Sequence, residues 1–326
     1  MNMRLTRRAC AAMLPLLAFP QLGSAQSAYP ARSVTLVEGF VPGGGSDIVA
    51  RLLASRLRDD FGQPVVVENK PGASGTIAAQ GVIRAAADGY TMMIASPSTL
   101  VVVPKATANP PYDSLRDMTP ILQVASVPQV VVVPAKSPFR TLGELITYAR
   151  ANPGKLNYAS SGIGAAQHLA AELLSRAAGV KMTHVPYRGS GQAMTDLIAG
   201  QVDLNVDTLP SNLPHIKSGA MRALAVTTPE RVEWLPDVPT VAESGFPGFE
   251  RTLWYMIVAP AGLPAPIVER WVSALNKALA HPETRQRLRE AGFMLGGGTA
   301  GDAAALLNRE TEATVKLLRE ANIRME

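Results

Sequence analysis

Cysteine is all but missing: Cys10 is the single one in 326 residues. That leaves no pair for a disulfide and no thiolate set for a structural zinc site. Histidine is nearly as scarce. His168, His184, His215 and His281 stand apart, without the H-x-x-x-H or H-E-x-x-H spacing that puts two imidazoles on one helix face. Neither a metal nor another cofactor is therefore expected. Charge is also low, with Asp, Glu, Lys and Arg at 17% where soluble chains average about a quarter. Together with an apolar content of 47%, this excludes long disordered tracts and fibrous repeats. What is present is length enough for one large domain or two of ordinary size, with a sizeable core.

A formal charge of +5 points at first toward an acidic polymer. The location of the charges removes that reading. Arg4, Arg7 and Arg8 precede an apolar run from Ala9 to Phe19, followed by Gly23-Ser24-Ala25. This is the basic region, apolar region and small-residue cleavage site of a secretory signal peptide over residues 1–25, too short to span a membrane. Cleavage is expected after Ala25, with Ala28 as the second choice. Loss of three arginines and no acid takes the formal balance from +5 to +2, and Cys10 leaves with the leader. Later Lys and Arg residues, such as Arg285 to Arg289, are scattered along helical faces, so no nucleic acid is expected as a partner. No later segment has the ~18 continuous apolar residues of a membrane span. An exported, periplasmic protein is expected.

Beyond the leader the pattern is βα. Val34 to Phe40 reads as a strand, Pro42-Gly43-Gly44-Gly45-Ser46-Asp47 as a turn, and Ile48, Val49, Leu52, Leu53 and Leu57 as a helix, with Ser46 or Asp47 as its N-cap. The unit recurs as Val65 to Val67, the turn Lys70 to Gly75 and a helix through Ile83, and again as Tyr90 to Ala95 ending at Ser96-Pro97-Ser98-Thr99. A second series starts at Gln129 to Val133. It continues through a helix over 141–151, a strand ending at Ser160-Ser161-Gly162-Ile163-Gly164, a helix over 165–177 and a strand ending at Asp207. Leu253 to Ala259 reads as a last strand before three amphipathic helices. Apolar strands alternating with helices predict a parallel sheet flanked by helices, in two α/β lobes with a boundary near Ser126.

The glycine turn before Ile48 is neither a Walker loop nor a dinucleotide fingerprint, because it lacks Gly-Lys-Ser/Thr and the G-x-G-x-x-G spacing. Its physical content is an uncovered helix N-terminus, which favours an anion. A tight βα turn accounts for the same glycines. Lys70 to Gly75 and Ser160 to Gly164 repeat the arrangement at strand ends, where ligands of open α/β sheets bind. His168 falls on the first turns of the following helix, facing either the cleft or its own loop. A serine hydrolase using Ser160 or Ser161 is a second reading. Against it, no G-x-S-x-G elbow surrounds these serines, and no base or metal set accompanies them.

The same residues carry a resemblance. Pro42 to Arg51, Val66 to Ala73, Asp88-Gly89-Tyr90-Thr91, Tyr158 to Gly162 and His184 to Gly189 resemble the Bug-type (TctC-like) extracytoplasmic solute-binding receptors of the tripartite tricarboxylate transporter family. Arg222 to Thr227, Leu235 to Thr240, Trp254 and Ala259-Pro260-Ala261-Gly262 continue the match. The resemblance implies an α/β, two-lobed periplasmic binding protein (a Venus flytrap), each lobe a sheet flanked by helices. Lobe one would hold 26–126 plus 251–326 and lobe two 127–250. It implies no enzyme activity, a monomer, a small carboxylate ligand, and membrane permease subunits as partners; a signalling receptor is the alternative partner. Ligand contacts implied by position are Gly44, Ser46, Asp47, Ala73, Ser74, Ser96 and Ser98 from lobe one. Ser160, Ser161, Gly164, His168 and Asp207 come from lobe two. Glu38 and Met256 depart from the family pattern and stand as specificity candidates. A carboxylate at Glu38 facing the cleft would favour a ligand amine or amide, and the Met256 thioether would narrow the pocket.

Overall fold

The computed structural model describes residues 29–187 and 190–321. The expected leader, with Cys10 and both cleavage positions, lies outside the described residues, as do Arg188 and Gly189 of the family motif. Strand β1 (Val34–Glu38) turns Val34 and Leu36 toward helix α1 (Gly45–Phe61) and Val37 toward the opposite face. Helix α1 answers with Val49, Ala50, Leu53 and Leu57, a helically spaced stripe fully withdrawn from water. Gly62, with φ 65°, ends it in the left-handed cap that glycine adopts without strain.

Strand β2 (Val65–Asn69), helix α2 (Thr76–Ile83) and strand β3 (Thr91–Ala95) complete this unit, and β1 pairs with both strands in parallel. Ser96 to Thr99 is not a plain loop: a π-helical turn at Ser98–Val102 runs into helix α3 (Val103–Ala106). Short α4 (Ser114–Asp117) leads into β4 (Met118–Pro134), a strand of 17 residues. The second unit holds α5 (Leu142–Ala151), β5 (Asn157–Ser160), α6 (Ala166–Ala178), β6 (Thr183–Pro186), α7 (Ser190–Ala199), β7 (Leu204–Thr208), α8 (Leu209–Lys217) and β8 (Met221–Val226). The chain returns through β9 (Thr252–Pro260), α9 (Ala265–Ala280), α10 (Pro282–Glu290), β10 (Met294–Leu295) and α11 (Ala300–Ala321).

The sheet runs β2-β1-β3-β9-β4-β7-β5-β6, with β8 and β10 also paired to β4. It is mixed and not parallel throughout as the alternation predicts. Strands β4 and β9 pass between the two units and run antiparallel to their neighbours, because a chain that leaves one unit and returns must reverse direction. Within β4 the partner changes between Pro128, opposite Thr252 on β9, and Gln129, opposite Thr208 on β7. Proline fits there, where a missing ladder donor costs little. Thr227 stitches the two passages together. Its N–H donates to the Gln129 carbonyl at 2.9 Å, and the Arg251 N–H donates to the Thr227 carbonyl at 2.8 Å. Helices α9 and α10 bury Trp271, Leu275 and Leu288 against the α1 side of the first unit. Helix α11 buries Ala303 and Leu307 on its other face.

Candidate functional site

Strands β1, β3 and β5 end at the space between the two units, where a cavity of about 440 Å³ opens. Gly44, Ser46, Ser74, Ser96 and Ser98 line it from the first unit; Ser161, Gly164, Gln167 and Thr208 line it from the second. Among the described residues, none that lines it carries a formal charge. Its polarity comes from backbone and hydroxyl groups.

Two helix starts supply most of that polarity. The N-cap of α1 is Gly44 and that of α6 is Ala165, and neither makes a side-chain cap hydrogen bond. The first intrahelical donors are Ile48 and Leu169, so the N–H groups one turn earlier are free of helical partners. With 17 and 13 residues, both helices are long enough for a full terminal dipole. Glycine is required at position 45. A Cβ there would stand 2.6 Å from the Tyr255 hydroxyl, which reaches the loop from β9. The second loop is strained: Ala73 and Ser74 hold φ of 45° and 54° in the left-handed region. Thr99 secures it by donating to the Ser74 carbonyl at 2.9 Å.

Asp47 does not line the cavity and is not the N-cap. Its carboxylate accepts from Gly43 N–H at 2.9 Å, Arg51 Nε at 2.8 Å and Asn69 Nδ2 at 2.9 Å. Partial burial pushes this carboxyl up, but Arg51, Gly43 and Asn69 outweigh that and hold it at about 2. It is the tie that folds the glycine loop onto α1. Glu38 occupies the last position of the Val34–Leu36–Glu38 face, beneath the loop and outside the cavity lining. Its Oε1 accepts from Ser46 Oγ at 2.9 Å and Phe40 N–H at 3.0 Å, while Oε2 is buried without a partner. Burial pushes this carboxyl from 4.5 up to about 7 against those two hydrogen bonds, and the Asp47 charge adds to the rise.

The second wall is backed in a similar way. Ser161 Oγ donates to Gln167 Oε1 at 2.9 Å, and Gln167 Nε2 donates to Asp207 Oδ1 at 2.9 Å. Asp207 lies under the lining, and burial pushes its carboxyl up despite these bonds and the Thr208 N–H. Ser160 is fully buried. Its Oγ lies 2.6 Å from His184 Nε2 and accepts from Gly162 N–H, which clamps the turn. His168 turns inward. Its Nδ1 accepts from Gly164 N–H at 3.0 Å, and its ring stacks on His184 with centroids 3.9 Å apart. Burial lowers both imidazoles to about 4, which lets two like rings stack as neutral groups.

Of the expected contacts, the fold therefore gathers Gly44, Ser46, Ser74, Ser96, Ser98, Ser161 and Gly164 around one cavity. Ala73, Asp47, Ser160, His168 and Asp207 lie outside its lining, the last four as supports. Met256 also points elsewhere: it is fully buried among Val37, Met93 and Trp254, on the sheet face away from α1. Its neighbour Tyr255 lines the cavity instead, with Leu253, Phe40 and Val41. Strand alternation puts 255 and 256 on opposite faces, and that parity is the signal that singles out Tyr255. Gln167 follows Ser161 by six residues and had no marker of its own.

Two sheet units joined by paired antiparallel passages, with a neutral, donor-rich cavity between helix starts, define a two-lobed binding protein of the periplasmic type. Residues 49–323 match the tripartite tricarboxylate transporter family receptor, and the chain belongs to that family. It is 43% identical over 294 residues to a UPF0065 protein in the tcbD-tcbE intergenic region of a Pseudomonas sp., covering 90% of this chain and 87% of that one. Among solved structures, R. palustris Rpa4515 with adipate superposes with a TM-score of 0.80 at 38% identity, covering 91% of this chain and 99% of the other. MatC from Rhodopseudomonas palustris with bound malate gives 0.76 at 32%, covering 89% and 100%. The family is one of receptors, binding proteins and not enzymes. The buried Ser160–His184 pair agrees with that, because its hydroxyl is already engaged within its own turn.

Proposed function

We propose that this protein is a periplasmic receptor that closes on one small organic acid and delivers it to the membrane permease subunits of a tripartite tricarboxylate-type transporter. One observation carries the reading. Helices α1 and α6 bring bare N-termini to a single cavity whose lining has no formal charge among the described residues. Free N–H groups and helix dipoles there favour oxyanions, while a lining without cations leaves the ligand easy to release. The family membership and the adipate and malate held by two relatives support a carboxylate. The lobes are 26–126 plus 251–326 and 127–250, and ligand biases them from open to closed as rigid bodies about the Thr227 stitch. The receptor acts as a monomer, after export and removal of residues 1–25.

The test is a thermal-shift and calorimetric screen with adipate, malate and related di- and tricarboxylates, on the wild type and on Ser161→Leu. A stabilising acid is expected, with its affinity lost in Ser161→Leu while the unliganded melting temperature is nearly unchanged. Absence of any stabilising carboxylate, or full affinity in the variant, refutes the assignment.

A further inference from the structure

Glu38 is a buried acid placed one hydroxyl away from the ligand space. Ser46 lines the cavity, yet its Oγ–H is spent on Glu38 Oε1 at 2.9 Å. While Glu38 is ionised, Ser46 therefore presents lone pairs to the cavity, at the very helix start that invites a carboxylate. A protonated Glu38 reverses this. The carboxyl proton is then available to Ser46 Oγ, and the serine hydroxyl is free to turn toward a ligand oxygen. The ionised form is poorly supported, since Oε2 is buried without a partner and Phe40 N–H is the second donor to Oε1.

The groups that face Glu38 do not cancel its charge. From α1 comes Asp47, a like charge already engaged by Arg51, Gly43 and Asn69. From β9 comes the Tyr255 phenol, pushed up by burial and further by the Glu38 charge. On the flanking strands, Glu38 is paired with Asn69 and Ile94. Among the described residues no cation forms an ion pair with it.

We propose that Glu38 is a proton-linked positioning residue: through Ser46 it sets whether the α1 wall donates to a ligand carboxylate, so that capture takes up a proton at Glu38. The inference rests on the carboxylate reading above and deepens it. A second negative charge one hydroxyl away from Glu38 raises its proton affinity further, so binding and protonation reinforce each other. Affinity then falls with rising pH, toward about tenfold per pH unit where Glu38 is ionised without ligand and protonated with it.

The experiment is calorimetric titration of wild type and Glu38→Gln with adipate and with malate, between about pH 6 and about pH 8.5, in buffers of different ionisation heat. The wild type is expected to take up close to one proton per ligand at the alkaline end and to bind at least several-fold more weakly there. Glu38→Gln is expected to show no linked proton and a flat profile. The same pH slope and proton count in both proteins overturns the proposal. If neither acid binds either protein, the carboxylate reading fails separately, and Glu38 is judged by a carbon-13 titration of the unliganded protein. A midpoint near 7 that rises in Ser46→Ala supports the Glu38–Ser46 couple, and one at the ordinary 4.5 overturns it.

Discussion

Replacing Asp47 by asparagine separates the anchoring of the glycine loop from ligand contact. The native carboxylate collects three donors: the Gly43 N–H, Arg51 Nε and Asn69 Nδ2. Asparagine is nearly isosteric but has one acceptor oxygen, and its amide N–H₂ must then face another donor. Linkage gives a magnitude. The native carboxyl is held at about 2 against an ordinary 3.8, which corresponds to about 2 kcal/mol of stability at neutral pH. Arg51 is half exposed, so solvent screens part of that sum, and the loss of an acid from the first turn of α1 costs a further few tenths. A net loss of about 2 kcal/mol lowers Tm by about 3 °C for a chain of this size. The sign with pH follows from a depressed carboxyl: its stabilisation is present above 3.8 and disappears as pH falls toward 2. Urea unfolding of wild type and Asp47→Asn at neutral pH and at successively lower pH measures this. The stability gap is expected to be widest at neutral pH and to shrink below pH 3.8. A gap under half a kilocalorie at neutral pH, or one that does not shrink on acidification, refutes the anchoring role.

Two further outcomes follow from the same geometry. As pH rises from 4.5 to about 7, Glu38 costs the unliganded wild type stability, because the folded protein holds the proton that the unfolded chain gives up; the buried neutral His168 and His184 pull the other way, so the Glu38 slope is read as the difference between wild type and Glu38→Gln. Glu38→Gln should remove that slope and be the more stable protein above it, by up to about 3 kcal/mol; parallel urea midpoints across this range would contradict the burial argument. Gly75→Ala should cost about 1–3 kcal/mol and weaken ligand binding together. Its φ is 87°, and the new Cβ would stand 2.4 Å from Thr99 Oγ1, the clamp on the Ser74 loop. An alanine variant with native Tm and affinity would show that the loop is not held in this way.

Much of the fold is local chemistry and was legible in the chain. The apolar stripe of α1, the helix over 141–151 and the serine-glycine turns at strand ends each depend on neighbours a few residues away. So does the family pattern, which brought seven of the expected residues to one cavity. What sequence left open was direction. The βα alternation predicts parallel strands, but β4 and β9 reverse because they carry the chain between units, and reversal is a property of the whole path. Serines 160 and 161 are adjacent in the chain, and only the fold sends the first into His184 and the second toward Gln167 and the cavity. Glu38 and Met256 were visible as departures. Strand register places one beneath Ser46 and the other on the opposite face of the sheet. Tyr255 meets Gly45 from the far end of the chain, a contact that no local pattern encodes. Sequence determined which groups this protein has and, to within about a turn, where its helices begin, because those follow from short-range sterics and periodicity. Tertiary structure decided which hydroxyls are spent on buried acids and which face the cavity, because that depends on partners brought together only when the sheet closes.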